Sequence, residues 1–62
     1  MQPLSRLKEH REKRMLTQME LAERSGVSRA TIARLETTSS KATPSTARKL
    51  AEILKVKPRT LT

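Results

Sequence analysis

Apolar residues along the chain recur at helical spacing, and short polar or glycine-bearing breaks separate the runs. Leu4, Leu7 and Arg11 fall at i, i+3 and i+7. This predicts a first helix that starts near Pro3, a residue tolerated in a first turn, and runs to about Arg14. Thr17-Gln18-Met19-Glu20 has the spacing of a capping box, in which Thr17 accepts from the amide three residues on and Glu20 reaches back. It opens a second helix that turns Leu21 and Ala22 inward. Gly26 ends that helix, because the position after a helix often needs a left-handed backbone. Ser28 is a good N-cap for a third helix, with Ile32 and Leu35 on its buried side and Val27 anchoring its start. The connection is Ser25-Gly26-Val27, and a turn so short makes the two helices cross steeply.

A fourth helix has Thr43 or Ser45 as its cap and Pro44 in or just before its first turn. Ala47, Leu50, Ala51 and Leu54 then sit at i, i+3, i+4 and i+7, which marks one apolar face. Val56 continues the core, and Pro58 to Leu61 form a last short turn with Leu61 packing back. The stretch from Thr37 to Thr43, TTSSKAT, reads as the only loop, and no strand is expected. The pattern is all-α: a compact four- to five-helix bundle, one domain over residues 1–62.

Composition narrows the function. Apolar residues make up 34% of the chain, and none is aromatic. So small an aliphatic core has no room for a typical ligand cleft of roughly 300–1,000 Å³, so no small-molecule ligand is expected. Without cysteine there is no disulfide and no thiolate metal site. With one histidine and no paired acids near a cleft, the general acid–base constellations are missing; neither an enzyme nor a cofactor or metal is expected. No apolar run approaches the ~20 residues that span a bilayer. MQPLSRLKEH lacks the apolar stretch of a signal peptide, which makes the expected location cytoplasmic. The net charge of +8 favours a polyanion as partner, and residues 27–62 concentrate it, with eight positive and two negative residues.

The order of these features carries a resemblance. TQMELAERSGVSRATIARLE is similar to the Cro/CI-type, or XRE-like, helix-turn-helix DNA-binding domain at Gln18, Leu21, Ala22, Gly26, Val27, Ser28, Ile32, Leu35 and Glu36. Leu7 to Arg11 resembles that family's first helix, and Pro44 to Ala51 its fourth, so the likeness covers nearly the whole chain. It implies a phage-repressor-like fold and a transcriptional regulator, expected to be a repressor, encoded by a prokaryote, phage or plasmid. It implies as partner double-stranded DNA, read in the major groove by the helix near residues 28–36. The chain departs from the family pattern in having Met15 near the end of helix one, and Thr37 and Thr38 after helix three, where glycine is usual.

Projecting the third helix at about 100° per residue puts Ile32, Leu35, Ser28 and Glu36 on one side and Ala30, Arg34 and Thr37 opposite, with Ala33 on the flank. Arg29 lies in the first turn, where such helices meet base edges, and Arg can bond guanine O6 and N7 together. Ala30 and Ala33 permit close approach and can meet a thymine methyl. With Ser28, Thr31 and Arg34 these are the expected reading residues. Gln18 in the family bonds a phosphate or braces helix three. Thr37, Thr38, Ser39, Ser40 and Lys41 are expected on the backbone, and Ser45, Thr46 and Arg48 are weaker candidates. Arg11 and Glu36 each place a charge on an apolar side, where an unpartnered charge is costly; the resemblance pairs them. His10 reads as an ordinary exposed residue, and Met15 and Met19 as packing residues.

An antitoxin or a restriction-control protein would share this sequence pattern. A protein-interaction adaptor on the same fold would need an apolar or acidic groove on helix three. A membrane-active cationic peptide would show a long helix with aromatic or bulky apolar faces. Because one module reads only a few base pairs, an inverted-repeat operator bound by two copies is expected, held by a weak homodimer that DNA strengthens. The segment from Val56 to Leu61 is the expected contact, with Lys55, Lys57 and Arg59 repelling their symmetry mates.

Overall fold

The computed structural model describes residues 2–37 and 41–62. Helices α1 (Leu7–Lys13), α2 (Gln18–Ser25), α3 (Arg29–Thr37) and α4 (Pro44–Leu54) are followed by a 3₁₀ turn over Pro58–Leu61. Two short strands, β1 (Gln2–Pro3) and β2 (Lys41–Ala42), pair antiparallel, with Gln2 opposite Ala42 and Pro3 opposite Lys41.

The expectation of no strand is therefore corrected, and so is the start of the first helix. The chain before Leu7 is drawn away from helical geometry by partners distant in sequence. The Arg6 N–H donates to the Leu61 carbonyl at 2.8 Å, and the Ser5 hydroxyl donates to the Thr62 carbonyl at 3.1 Å. Leu4 is 1% exposed and enters the core from this extended segment. Pro3 has no N–H to contribute, which a two-stranded edge tolerates. The expected loop from Thr37 to Thr43 shrinks from both ends. Thr37 closes α3, and Lys41–Ala42 belong to β2.

Caps set the helix starts. The Thr17 hydroxyl accepts from the Glu20 amide at 3.0 Å, and the Thr17 amide donates to the Glu20 carboxylate at 2.9 Å, completing the box that opens α2. The Ser28 hydroxyl accepts from the Thr31 amide at 3.2 Å ahead of α3, and Thr43 rather than Ser45 caps α4 through the Thr46 amide at 3.2 Å. Gly26 ends α2 with φ of 76°, the left-handed conformation in which glycine carries no Cβ penalty. The same conformation occurs at Met15 (φ 56°), between α1 and α2, and at Lys55 (φ 58°), after α4.

The core joins all four helices and the terminal turn. Leu4, Leu7, Leu21, Ile32, Leu50, Leu54 and Leu61 are its largest fully buried side chains, with Leu16, Val27, Leu35, Ala42, Ala47 and Ala51 filling between them. Leu61 packs back as expected, and for that reason it is unavailable as a contact between copies; at that end Ile53, Val56 and Pro58 are the part-exposed apolar residues. His10 is half-buried rather than exposed, and its Nε2 has no hydrogen-bond partner among the described residues. Among the described residues no helix is long and apolar enough to cross a membrane.

Candidate nucleic-acid interface

The geometry that presents α3 depends on one carboxylate. Glu36, in the last turn of α3, accepts from Arg11 Nε at 2.7 Å and Nη2 at 3.1 Å, and from Gln18 Nε2 at 3.0 Å. Arg11 also donates from Nη1 to the Leu16 carbonyl at 2.6 Å. The Glu36 side chain is 1% exposed and that of Arg11 11% exposed. A charge this deep needs an opposite charge and satisfied lone pairs, and the two-point Arg–carboxylate fork supplies both. The hydrogen bond that Arg11 donates to Glu36 raises the Arg11 pKa above its ordinary value, with burial opposing, so Arg11 stays charged. Arg11 comes from α1, Gln18 from the first position of α2 and Glu36 from α3, so one site fixes three helices relative to each other.

With Ile32 and Leu35 buried and Glu36 bracketed, the other side of α3 faces outward. Arg29, Ala30, Arg34 and Thr37 are exposed, and Thr31 and Ala33 are half-buried on the flanks. Ser28 is exposed, but its hydroxyl is engaged: it caps α3 and donates to Thr31 Oγ1 at 2.8 Å. The Thr37 hydroxyl donates back to the Ala33 carbonyl at 2.7 Å, so its proton is not free for a phosphate. Gln18 braces α3 through Glu36, which is one of the two roles the family gives that residue.

Two concavities flank this face. An open groove of about 440 Å³ is lined by Arg11, Thr17, Gln18, Met19 and Arg29. A smaller notch of about 90 Å³ is lined by Thr31, Arg34, Leu35 and Lys41. Lys41 is exposed on β2; Thr38, Ser39 and Ser40 lie outside the described residues. Ser45 and Arg48 are exposed on α4, and Thr46 is half-buried.

Met15 and Met19 do not pack as expected, being 89% and 55% exposed. The signal for Met19 was in the sequence. Thr17 as cap and Leu21 as inward residue leave Met19 about 200° from Leu21, on the opposite side of the helix. It therefore borders the groove that holds Arg29.

A capped helix, a left-handed glycine turn and a second helix with a basic, small-residue face define a helix-turn-helix module. A helix-turn-helix family model matches residues 7–61. The chain belongs to that family, in its XRE-type branch, and is a DNA-binding regulator. Among solved structures it is similar to the restriction-modification controller protein C.AhdI from Aeromonas hydrophila, with 33% identity and a TM-score of 0.85 over 94% of this chain and 88% of that one. No curated protein matches the chain.

Proposed function

We propose that this chain is a cytoplasmic, non-enzymatic repressor that binds double-stranded DNA sequence-specifically by placing α3 in the major groove. The outward face of α3 carries the DNA contacts: Arg29, Ala30, Arg34 and Thr37 are exposed, and no acidic residue is among them. Arg29, at the N-terminal end of α3, is assigned to a guanine edge, and Ala30 and Ala33 to close approach. Arg34, which shares the notch with Lys41, is assigned with it to the backbone. Ser28, Thr31 and Thr37 stand around this face as candidates for supporting contacts, and Gln18 orients it; Thr38 and Ser39, which lie outside the described residues, are proposed for the backbone from the sequence alone. An adaptor reading would need an apolar or acidic groove on α3, and the exposed arginines argue against one.

Two copies on an inverted repeat are the proposed assembly, with half-sites about 34–36 Å apart. The likeness to C.AhdI supports control of a restriction-modification locus as the setting, in preference to an antitoxin. The test is a titration of labelled duplex DNA at several salt concentrations, with chain stoichiometry from analytical ultracentrifugation. The expected results are a log affinity that falls steeply with log salt, at ~0.9 per phosphate contacted, and two chains per specific duplex. A flat salt response, or one chain bound tightly to an asymmetric site, would overturn the proposal.

A further inference from the structure

We infer that the N-terminal strand β1 belongs to the DNA-binding apparatus: its ladder to β2 positions Lys41 over the notch beside Thr31 and Arg34, where Lys41 takes one backbone phosphate. This rests on the DNA-binding reading above and extends it to a segment outside the helix-turn-helix. Side chains alternate along a strand, so with Ala42 buried at 3% exposure, Lys41 is turned outward. Pro3 opposite Lys41 and Gln2 opposite Ala42 tie both residues of β2 to the start of the chain. A pair of two-residue strands is far too short to be stable by itself. It forms because Leu4 on one strand's end and Ala42 in the other are both fixed in the core. The result is a backbone anchor directly beneath a lysine, close to the reading helix.

The notch suits that occupant. It is a shallow notch of about 90 Å³, open to solvent, so a phosphate's oxygens can approach its lining residues from outside. Leu35 gives it an apolar wall, and its two charged lining residues, Arg34 and Lys41, are both cations. A lysine ammonium acts as a point charge on a flexible stem, so where its backbone is held decides what it reaches.

The experiment compares the full chain, Lys41→Ala, a chain that starts with Met directly before Leu4, and the combination of the two changes. Each is titrated with one specific duplex and one random duplex across a salt series, with helical circular dichroism confirming the fold. Lys41→Ala should lower the slope of log affinity against log salt by ~0.9 on both duplexes and leave the preference between them intact. The truncated chain should lose the same slope, and Lys41→Ala should then add nothing. A lysine contact independent of β1 would instead show its full effect in the truncated chain, and that result overturns the inference. So does an unchanged slope in Lys41→Ala with the full N-terminus, which holds even if the truncated chain does not fold. In both cases specific binding by the full chain would leave the DNA-binding reading standing; its absence would remove that reading separately.

Discussion

Arg11 and Glu36 are 25 residues apart in sequence and share a two-point hydrogen bond, 2.7 Å at Nε and 3.1 Å at Nη2, in which the carboxylate side chain is 1% exposed. The same carboxylate holds Gln18 at 3.0 Å. Orientation of the reading helix and stability of the domain therefore depend on one group. Glu36→Ala would strand a buried guanidinium, and breaking a buried pair in this way costs about 3–5 kcal/mol. At roughly 0.05–0.15 kcal/mol per residue, that is comparable with the whole stability of a domain this size. Thermal melts followed by helical circular dichroism should show Glu36→Ala largely unfolded at ambient temperature. Glu36→Gln keeps an acceptor for the fork and should lose less. An unchanged melting temperature in Glu36→Ala would mean that the pair does not hold the helices together.

Met15 occupies a left-handed turn (φ 56°) with its side chain 89% exposed. It forgoes glycine's freedom at that φ and gains no burial in return. Met15→Gly should relieve a strain of ~1–2 kcal/mol, offset by roughly 0.5–1 kcal/mol of extra chain entropy in the unfolded state. The expected outcome is a net stabilisation of up to about 1.5 kcal/mol, read from denaturant midpoints. Destabilisation by the substitution would show that the methionine packs in solution.

Glu20 supplies a pH dependence. The Thr17 backbone amide, followed by the Thr17 side chain, holds the Glu20 carboxyl below its ordinary pKa, and a hydrogen bond and charge from Lys13 do the same for Glu9. A carboxyl whose pKa is lower in the folded chain contributes stability that is fully present above its unfolded pKa. That contribution is lost as pH falls through the folded value. Melting temperature should therefore decline as pH drops from about 5 towards 3. Glu20→Gln preserves the capping box without the titration, so its acid decline should be shallower. Both groups are fully exposed, so the effect is modest; identical acid profiles for the two chains would remove Glu20 as its source.

The helices and most of the core were legible in the sequence because their signals are local. Thr17 and Glu20 cap α2 within four residues, Gly26 marks a turn that needs positive φ, and Leu50 and Leu54 repeat on one helical face. The strands were not legible, because Gln2–Pro3 and Lys41–Ala42 have no alternating run of their own and pair only across the finished core. The same long-range pull from Leu61 shortened α1, whose apolar spacing had carried the expected helix back to Pro3. On the reading face, the exposed positions of α3 followed from helical projection. The capping role of Ser28 followed as well, but its donation to Thr31 Oγ1 and that of Thr37 to the Ala33 carbonyl did not, since these depend on rotamers that sequence spacing leaves open.

In the proposed complex α3 meets base edges, with Arg29 on the bases and Arg34 with Lys41 on the backbone. The most direct measurement is selection of bound sequences from a pool of random duplex DNA, run in parallel with the parent chain, Arg29→Ala and Arg34→Ala. The parent should enrich an inverted repeat with a fixed guanine in each half-site. Arg29→Ala should lose preference at that guanine and ~1–3 kcal/mol of affinity on the parent's best site. Arg34→Ala should keep the motif and weaken every sequence alike. If Arg29→Ala enriches the same motif with the same ranking as the parent, the account of α3 as the reader is wrong.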